Sequence, residues 1–148
     1  LELGYVGEVA QVKHDVLHRL LSHDVIPVVA PLAADVNGRT YNINADTVAA
    51  ELAVGLHCEK LVYLSDTHGI YTDADDPTSL ASHLSEKEIA RLIAEGVITS
   101  GMLPKVEGCL RAVKGGVRKA HIIDGRIPHS LLLEIFTARG IGTEVVLD

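Results

Sequence analysis

The sequence predicts an α/β fold, a three-layer αβα sandwich built around a mostly parallel β-sheet. Its 148 residues are enough for one domain with a hydrophobic core. Hydrophobic residues make up 47% of the chain but aromatic residues only 3%, so aliphatic side chains must fill that core. Apolar runs that resemble buried strands alternate with helical patterns, and this alternation is typical of a parallel sheet covered by helices on both faces.

The first part of the chain is predicted to contain an extended segment, a helix and a buried strand. Residues 6–12 alternate in polarity, which favours an extended backbone. The continuous apolar run at residues 25–30 is typical of a strand covered on both faces. Between them, Asp15 can cap a helix whose apolar residues share one face, namely Val16, Leu17, Leu20 and Leu21.

A hairpin, an Ala-rich helix and a second buried strand follow. The pair Asn37 and Gly38 is a strong tight-turn signal, so residues 32–43 are predicted to form a hairpin-like excursion. A helix is predicted from Asp46 to about residue 57, and residues 61–64 form the next strand.

The remaining elements continue the alternation. Residues 85–88 read as a capping box, which predicts a helix that ends near Gly96. Pro104 suits the first position of another helix, which the glycines at 115 and 116 end. The last predicted elements are a strand at residues 120–123, a helix at residues 130–137 and a closing strand at residues 143–147.

Charge and cysteine content exclude several classes of protein. The formal charge of −7 argues against nucleic acid or an anionic membrane as the main partner. The sequence has no apolar run of about 18 residues and no signal-peptide pattern. Cys58 and Cys109 are far apart, which suits free thiols in a reducing cytoplasm. Because the chain opens at Leu1 without a methionine, we expect it to be a piece of a longer protein.

The stretch YNINAD at residues 41–46 is the first candidate site. The sequence has neither a P-loop nor a GxGxxG fingerprint, so the loops at the carboxyl ends of the strands are considered instead. Asn42 and Asn44 point the same way if the segment is extended, and Asn44 can also cap the following helix. One interpretation is capping together with a favourable Asp46 in the first helical turn; the other is that Asn42 binds a ligand while Asp46 orients a cation.

Two further loops are candidates. Lys105 stands in the first turn of a predicted helix, where its charge opposes the macrodipole, so either it is solvated or an anion offsets it. Gly101 before it would let the backbone approach a phosphate. Asp66 follows a predicted strand, where it could bind a hydroxyl or a ribose, or simply end the strand in a turn that Gly69 completes.

In this order, four segments closely resemble the acetylglutamate kinases, a group within the amino acid kinase family. They are GYVGEV at 4–9, YNINAD at 41–46, GMLPKVE at 101–107 and HIIDGR at 121–126. The resemblance covers essentially the whole chain but only the carboxyl-terminal half of such enzymes. It implies a single domain over residues 1–148, the nucleotide-binding half of that fold. By this resemblance, the amino-terminal half, with its glycine-rich phosphate loop, first catalytic lysine and substrate-gripping arginine, is expected to lie outside these 148 residues.

The resemblance implies phosphorylation of the side-chain carboxylate of N-acetyl-L-glutamate by ATP, with Mg²⁺ held mainly by the nucleotide and with no metal ligand from the protein. Lys105 resembles the lysine that stabilises the phosphoryl group in transfer, and Asp46 the aspartate that holds catalytic lysines in place. Asn42 and Asn44 are expected at the acetylglutamate substrate. The expected ATP contacts are Asp66, Thr67, His68, Gly69, Ile70, Tyr71, Val97, Ile98, Thr99 and Gly101.

HSLLLEIFT at 129–137 and GIGT at 140–143 resemble the signature of the arginine-inhibited members. There the residues that match His121, Glu134 and Gly140 line an arginine pocket, and Glu134 would pair with the guanidinium as a fork. The resemblance also implies a homodimer or hexamer in the intact enzyme, and some such enzymes bind a PII signalling protein.

Two alternatives remain open. One is a kinase for carrier-protein-linked glutamate or aminoadipate in lysine biosynthesis, since the absent half carries much of that specificity. The other is a non-catalytic module that binds a nucleotide or arginine.

Overall fold

The structure, a computed structural model, describes residues 4–137 and 140–147. Helices and strands alternate through this part of the chain, with two pairs of consecutive strands and one pair of consecutive helices. In chain order the elements are α1 (Asp15–Leu21), β1 (Leu32–Ala34), β2 (Thr40–Asn42), α2 (Ala45–Gly55), β3 (Lys60–Ser65), β4 (His83–Ser85), α3 (Glu86–Ala94), α4 (Leu103–Lys114), β5 (Lys119–Asp124), α5 (Ser130–Phe136) and β6 (Thr143–Val146).

The main sheet has four strands in the order β3-β5-β6-β4. β3 pairs with β5 in parallel, and β4 pairs with β6 in parallel, while β5 and β6 are antiparallel. Two of its three pairings are therefore parallel, and the predicted α/β fold with a mostly parallel sheet is confirmed.

Helices cover both faces of the sheet, as the two environments of the β5 side chains show. Successive side chains of a strand point to opposite faces. Ala120 and Ile122 of β5 are fully buried in the main core, which also contains residues of α2, α3 and α4. His121, between them, instead meets Glu134 of α5. The core is aliphatic, as the composition predicted, and Ile89 and Leu92 of α3 are among its fully buried side chains.

Three local predictions agree with the structure. The Ser85 hydroxyl accepts the Glu88 N–H while the Glu88 carboxylate accepts the Ser85 N–H, which is the predicted capping box at the start of α3. Asn44 caps α2 by accepting the N–H of Thr47. The residue 32–43 excursion is an antiparallel hairpin of β1 and β2, with Gly38 at φ +81° in its turn.

The prediction of a buried strand at residues 25–30 is wrong. No strand pairs with this segment in the described part of the chain, and its side chains are exposed; Ile26 and Val28 are 87% and 96% accessible. Pro27 removes one backbone donor, but the main reason is that a strand requires a neighbour. Hydrophobicity alone predicted burial, but no element in the described residues covers this segment.

Smaller differences concern the ends of elements. Residues 6–12 belong to no helix or strand, and only Val6 makes a bridge, to Asn42. His14, not Asp15, occupies the N-cap of α1, and α1 buries none of its residues. Pro104 is the second residue of α4 instead of the first. The short strand β4 was not predicted at all. Within the described residues no helix is long and apolar enough to cross a membrane.

Candidate functional site

A cleft of about 510 Å³ lies at the carboxyl end of β3. Its walls come from two loops, the 66–71 loop after β3 and residues 97–102 before α4, and Lys105 of α4 also faces it. This position agrees with the rule that ligands of open α/β sheets bind beyond the carboxyl ends of the strands. The side chains that line it are Ser65, Asp66, Thr67, Gly69, Ile70, Tyr71, Ala74, Val97, Ile98, Thr99, Gly101, Met102 and Lys105.

A cation and an anion meet beside this cleft. Lys105 Nζ lies 3.2 Å from Asp46 Oδ2, and about a quarter of each side chain remains exposed. Both residues stand in the first turn of their helices, α4 and α2, where Asp46 is favoured by the helix dipole and Lys105 is not. Asp46 is thus an anion that offsets the charge of Lys105, so the lysine needs no bound phosphate to explain its position.

Tyr63 of β3 holds the backbone of Asp46 in place. The Tyr63 hydroxyl donates a hydrogen bond of 2.6 Å to the Asp46 carbonyl, and burial raises the pKa of Tyr63 well above its usual range. A Cβ at Gly108 of α4 would collide with this hydroxyl, so only glycine lets α4 approach. The ring of Tyr63 therefore sets how the first turn of α2 lies against α4.

The two asparagines of YNINAD have different environments. The Asn44 side chain is engaged as the α2 cap, which supports the capping interpretation for that residue. Asn42 is exposed, and within the described ranges its side chain makes no recorded hydrogen bond. Ile43 between them is buried, as expected for an alternating segment. Asn42 is therefore the one of the two asparagines whose side-chain oxygen is not engaged within the described residues.

The 66–71 loop is tied to the end of β5. Asp124 is buried and its carboxylate accepts the backbone N–H of Arg126 and two guanidinium N–H groups of the same residue. The Arg126 guanidinium lowers the pKa of Asp124 to about 2, so this carboxylate is ionised at neutral pH. His68 Nδ1 lies 3.1 Å from the same carboxylate, so His68 turns towards β5 and does not line the cleft.

His121, Glu134 and Gly140 form a separate cluster on the α5 side of the sheet. His121 Nδ1 lies 2.7 Å from Glu134 Oε1, and both side chains are at least nine-tenths buried. Glu134 Oε2 accepts the N–H groups of Ile141 and Gly142 at 2.7 and 3.1 Å. His121 Nε2 is buried without a hydrogen-bond partner in the described residues, and the nearest carboxylate oxygen to it, Glu144 Oε2, is 4.0 Å away.

The Gly140 position in this cluster has no room for a side chain. Gly140 has φ +64°, and a Cβ there would lie 2.7 Å from Glu134 Oε2. The Glu134 carboxylate therefore already stabilises the turn that leads into β6, and a fork-like guanidinium pair would have to displace the two bonds to that turn.

The structure brings most of the predicted site together. Ten predicted residues line one cleft and Asp46 flanks it, whereas Asn42, Asn44 and His68 are outside its lining and the predicted effector residues lie elsewhere. Sequence reasoning missed the supporting residues Tyr63, Asp124 and Thr143. For Asp124 the available signal is its position directly after the strand predicted at residues 120–123. The roles assigned to all of these residues remain predictions.

The donor chemistry of the site bears on a metal. In the described part of the chain no group of three or more His, Cys, Asp or Glu side chains could hold a metal ion. Mg²⁺ prefers a few carboxylates together with phosphate oxygens and water, so the carboxylates of Asp46 and Asp66 near the cleft fit an ion that arrives on a nucleotide.

Comparisons with known proteins give consistent matches. The amino acid kinase family matches residues 1–124. The acetylglutamate kinase of Moorella thermoacetica is 55% identical over 146 residues, which are 99% of this chain and 49% of the relative. The acetylglutamate kinase of Prochlorococcus marinus (strain MIT 9303) is 56% identical over 143 residues, 97% of this chain and 46% of the relative. The chain spans about half the length of the curated relatives it matches.

A solved structure has a similar fold. It is N-acetylglutamate synthase from Neisseria gonorrhoeae complexed with coenzyme A and L-arginine, with a TM-score of 0.86 and 33% sequence identity. The match covers 97% of this chain and 32% of that one.

Proposed function

Because this chain belongs to the amino acid kinase family, we propose that it is the carboxyl-terminal, nucleotide-binding half of a cytoplasmic acetylglutamate kinase. The whole enzyme would transfer the γ-phosphoryl group of ATP to the side-chain carboxylate of N-acetyl-L-glutamate in arginine biosynthesis. The observation that carries the proposal is the Lys105–Asp46 pair at the cleft formed by the 66–71 loop and residues 97–102.

The cleft suits a nucleotide in size and lining. Its volume of about 510 Å³ lies in the usual range for small-molecule sites. Val97, Ile98 and Ile70 offer apolar contacts, while Asp66 and Thr67 offer polar groups at the same mouth. We assign the adenosine part of ATP to these loops, with the phosphates directed towards Lys105.

The chemistry requires positive charge more than a base. A carboxylate acceptor is already ionised at neutral pH, so no group must remove a proton from it. The transferring phosphoryl group spreads negative charge over its oxygens, and phosphoryl transfer is catalysed mainly by positioning and electrostatic stabilisation. Lys105 would neutralise that charge, and the N-terminus of α4 would add its dipole.

Asp46 has a positioning role in this scheme. Its carboxylate holds Lys105 Nζ in place, and its backbone is held in turn by Tyr63. The Asp46 carboxylate also offsets the charge of Lys105, so no counter-ion from solution has to do so. Asn42 is the side chain that we assign to the acetylglutamate substrate.

Magnesium enters with the nucleotide in this proposal. When bound with the nucleotide, Mg²⁺ would neutralise part of the phosphate charge. Asp66 lines the cleft and Asp46 flanks it, so these carboxylates would meet the water shell of the ion while the nucleotide supplies its direct ligands.

The test of the proposed function is a coupled assay on a joined enzyme, in which the amino-terminal half of the M. thermoacetica relative precedes this chain. We expect ATP- and Mg²⁺-dependent phosphorylation of acetylglutamate. The same assay with a carrier-protein-linked glutamate or aminoadipate acceptor separates the lysine-biosynthesis alternative. Binding of nucleotide without turnover of any acceptor would favour a non-catalytic module instead.

We also propose that the cluster of His121, Glu134 and Gly140 binds L-arginine as a feedback inhibitor. Support comes from the buried carboxylate of Glu134 and the unpartnered Nε2 of His121 in the described residues, and from the arginine complex of the N. gonorrhoeae synthase. Glu134 Oε2 already accepts two N–H groups of the 140–142 turn, so a guanidinium would donate its first hydrogen bond to Oε1 and others to nearby backbone carbonyls.

Two substitutions of Glu134 test whether arginine binding requires the negative charge of this side chain or only its hydrogen bonds. In the joined enzyme, we expect Glu134→Gln, which keeps an oxygen for the turn but removes the charge, to weaken arginine binding by about 10-fold or more. Glu134→Ala should abolish detectable binding while uninhibited kcat stays largely intact. Calorimetric titration with arginine measures both, and Glu95→Gln at the C-cap of α3 is the matched control. Unchanged arginine affinity in both Glu134 variants would disprove the assignment.

A further inference from the structure

We infer that Thr143, the first residue of β6, is a positioning residue for nucleotide binding because its hydroxyl fixes the 66–71 loop from behind; this rests on the proposed function of the cleft. Thr143 is fully buried and does not line the cleft, so it cannot touch a bound nucleotide. Its influence would pass through the loop that does.

One hydroxyl joins three segments of the chain. Thr143 Oγ1 accepts the N–H of Ile70 at 2.8 Å and donates to the carbonyl of Ala81 at 2.6 Å. Ala81 N–H in turn donates to the carbonyl of Ile70 at 2.9 Å. The hydroxyl accepts one of these hydrogen bonds and donates the other, so the direction of its O–H bond is fixed. These bonds form a closed ring that includes both backbone groups of Ile70.

Gly69 shows how closely the loop approaches Thr143. A Cβ at Gly69 would lie 2.5 Å from Thr143 Oγ1 and 3.0 Å from the Thr143 nitrogen, and the residue has φ +150°. Any side chain there would push the loop away from β6. The loop is thus in direct contact with the strand at this point, and only a glycine permits the hydrogen bond of the next residue.

The hydroxyl bond complements the anchor at His68. The Asp124–His68 pair holds the loop from β5, but about half of the His68 side chain is exposed. The Ile70 anchor is buried, and Ile70 itself is 3% exposed while its neighbours Gly69 and Tyr71 line the cleft. A buried N–H that loses its partner is costly, so without the hydroxyl the loop must move to find another acceptor or water. The cleft wall would move with it.

The experiment compares Thr143→Val, which keeps the shape and removes the hydroxyl, with Thr143→Ser, which keeps the hydroxyl. Titration calorimetry of the chain with Mg·ADP should give a Kd about 10-fold higher for Thr143→Val and within about threefold of wild type for Thr143→Ser. In the joined enzyme, Thr143→Val should raise KM for ATP with little change in kcat or in KM for acetylglutamate.

Two measurements separate positioning from simple loss of stability. Val145→Ala, in the buried part of the same strand, should lower the melting temperature without changing the Kd for Mg·ADP. Amide hydrogen exchange at Ile70 should be fast in Thr143→Val and slow in wild type and Thr143→Ser. If Thr143→Val does not fold, Gly69→Ala tests the same contact and should also weaken nucleotide binding.

Equal nucleotide affinity of wild type and Thr143→Val would overturn the inference, as would unchanged Ile70 exchange. A wild-type chain that binds no nucleotide would instead contradict the proposed function, and in that case Ile70 exchange still decides whether Thr143 holds the loop.

Discussion

Replacing Lys105 by alanine in the joined enzyme is expected to lower kcat by about 100-fold or more, with KM for both substrates within about threefold. The ammonium group lies at the mouth of the cleft and would meet the negative charge that develops on the transferring phosphoryl group. Because that charge is largest in the transition state, its loss affects kcat more than substrate binding. Steady-state kinetics with each substrate varied in turn measures both constants.

Asp46→Asn provides an independent test of the same pair. The amide is isosteric but uncharged, so Lys105 Nζ would lose the partner that holds it at 3.2 Å. We expect a smaller fall in kcat than for Lys105→Ala, and the double variant should be no worse than Lys105→Ala alone, because the two residues act as a unit.

Lys114→Ala is the matched control for this pair. Lys114 stands in the last turn of the same helix, pairs with Glu86 at 2.6 Å and does not line the cleft. Its replacement should leave kcat unchanged. A Lys105→Ala enzyme with normal kcat and a raised KM alone would show that Lys105 binds substrate and does not stabilise the transition state.

Features of the fold that depend on residues close in sequence were predictable. The capping box of Ser85 and Glu88 involves side chains three residues apart, and the hairpin turn at Asn37 and Gly38 needs only a local φ that glycine allows. The cap at Asn44 is equally local. Each of these signals is complete within a few residues, so no knowledge of the tertiary structure is required to read it.

Features that depend on neighbouring strands were not predictable. The order β3-β5-β6-β4 places the last strand of the chain between β5 and β4, and no periodicity in the sequence specifies this. The bond from Ile70 to Thr143 joins residues 73 positions apart and exists only because of that order. The loops around the cleft could be selected in advance because strand ends converge there, whereas the residues that support them could not.

The last prediction is that this chain alone has little or no kinase activity. It also concerns the apolar segment at residues 25–30. Turnover by the isolated chain with ATP and acetylglutamate should be lower than that of the joined enzyme by about 1,000-fold or more, since the loss of one preorganised donor alone costs about 100-fold to 1,000-fold. The same coupled assay measures both proteins. Nucleotide binding to the isolated chain should persist, because the cleft is formed within it.

Restoring the partner half should restore activity through this segment. Val25, Ile26, Val28 and Val29 are exposed one after another, a contiguous apolar surface that monomeric proteins rarely leave in water. We propose that the amino-terminal half of the enzyme covers this surface by adding strands beside it. The relatives are about twice as long as this chain, so they contain such a half. A separately produced amino-terminal half should therefore restore turnover when mixed with the chain, and should suppress binding of a hydrophobic dye.

Ile26→Asp tests this surface without disturbing the core, since the Ile26 side chain is 87% exposed in the isolated chain. The variant should keep its melting temperature and its affinity for Mg·ADP but fail to complement. Phe136→Asp is the matched control, because Phe136 is also exposed, at 79%, but belongs to α5. It should complement normally. Full complementation by Ile26→Asp would show that the partner half binds elsewhere, and full activity of the isolated chain would show that no partner half is needed.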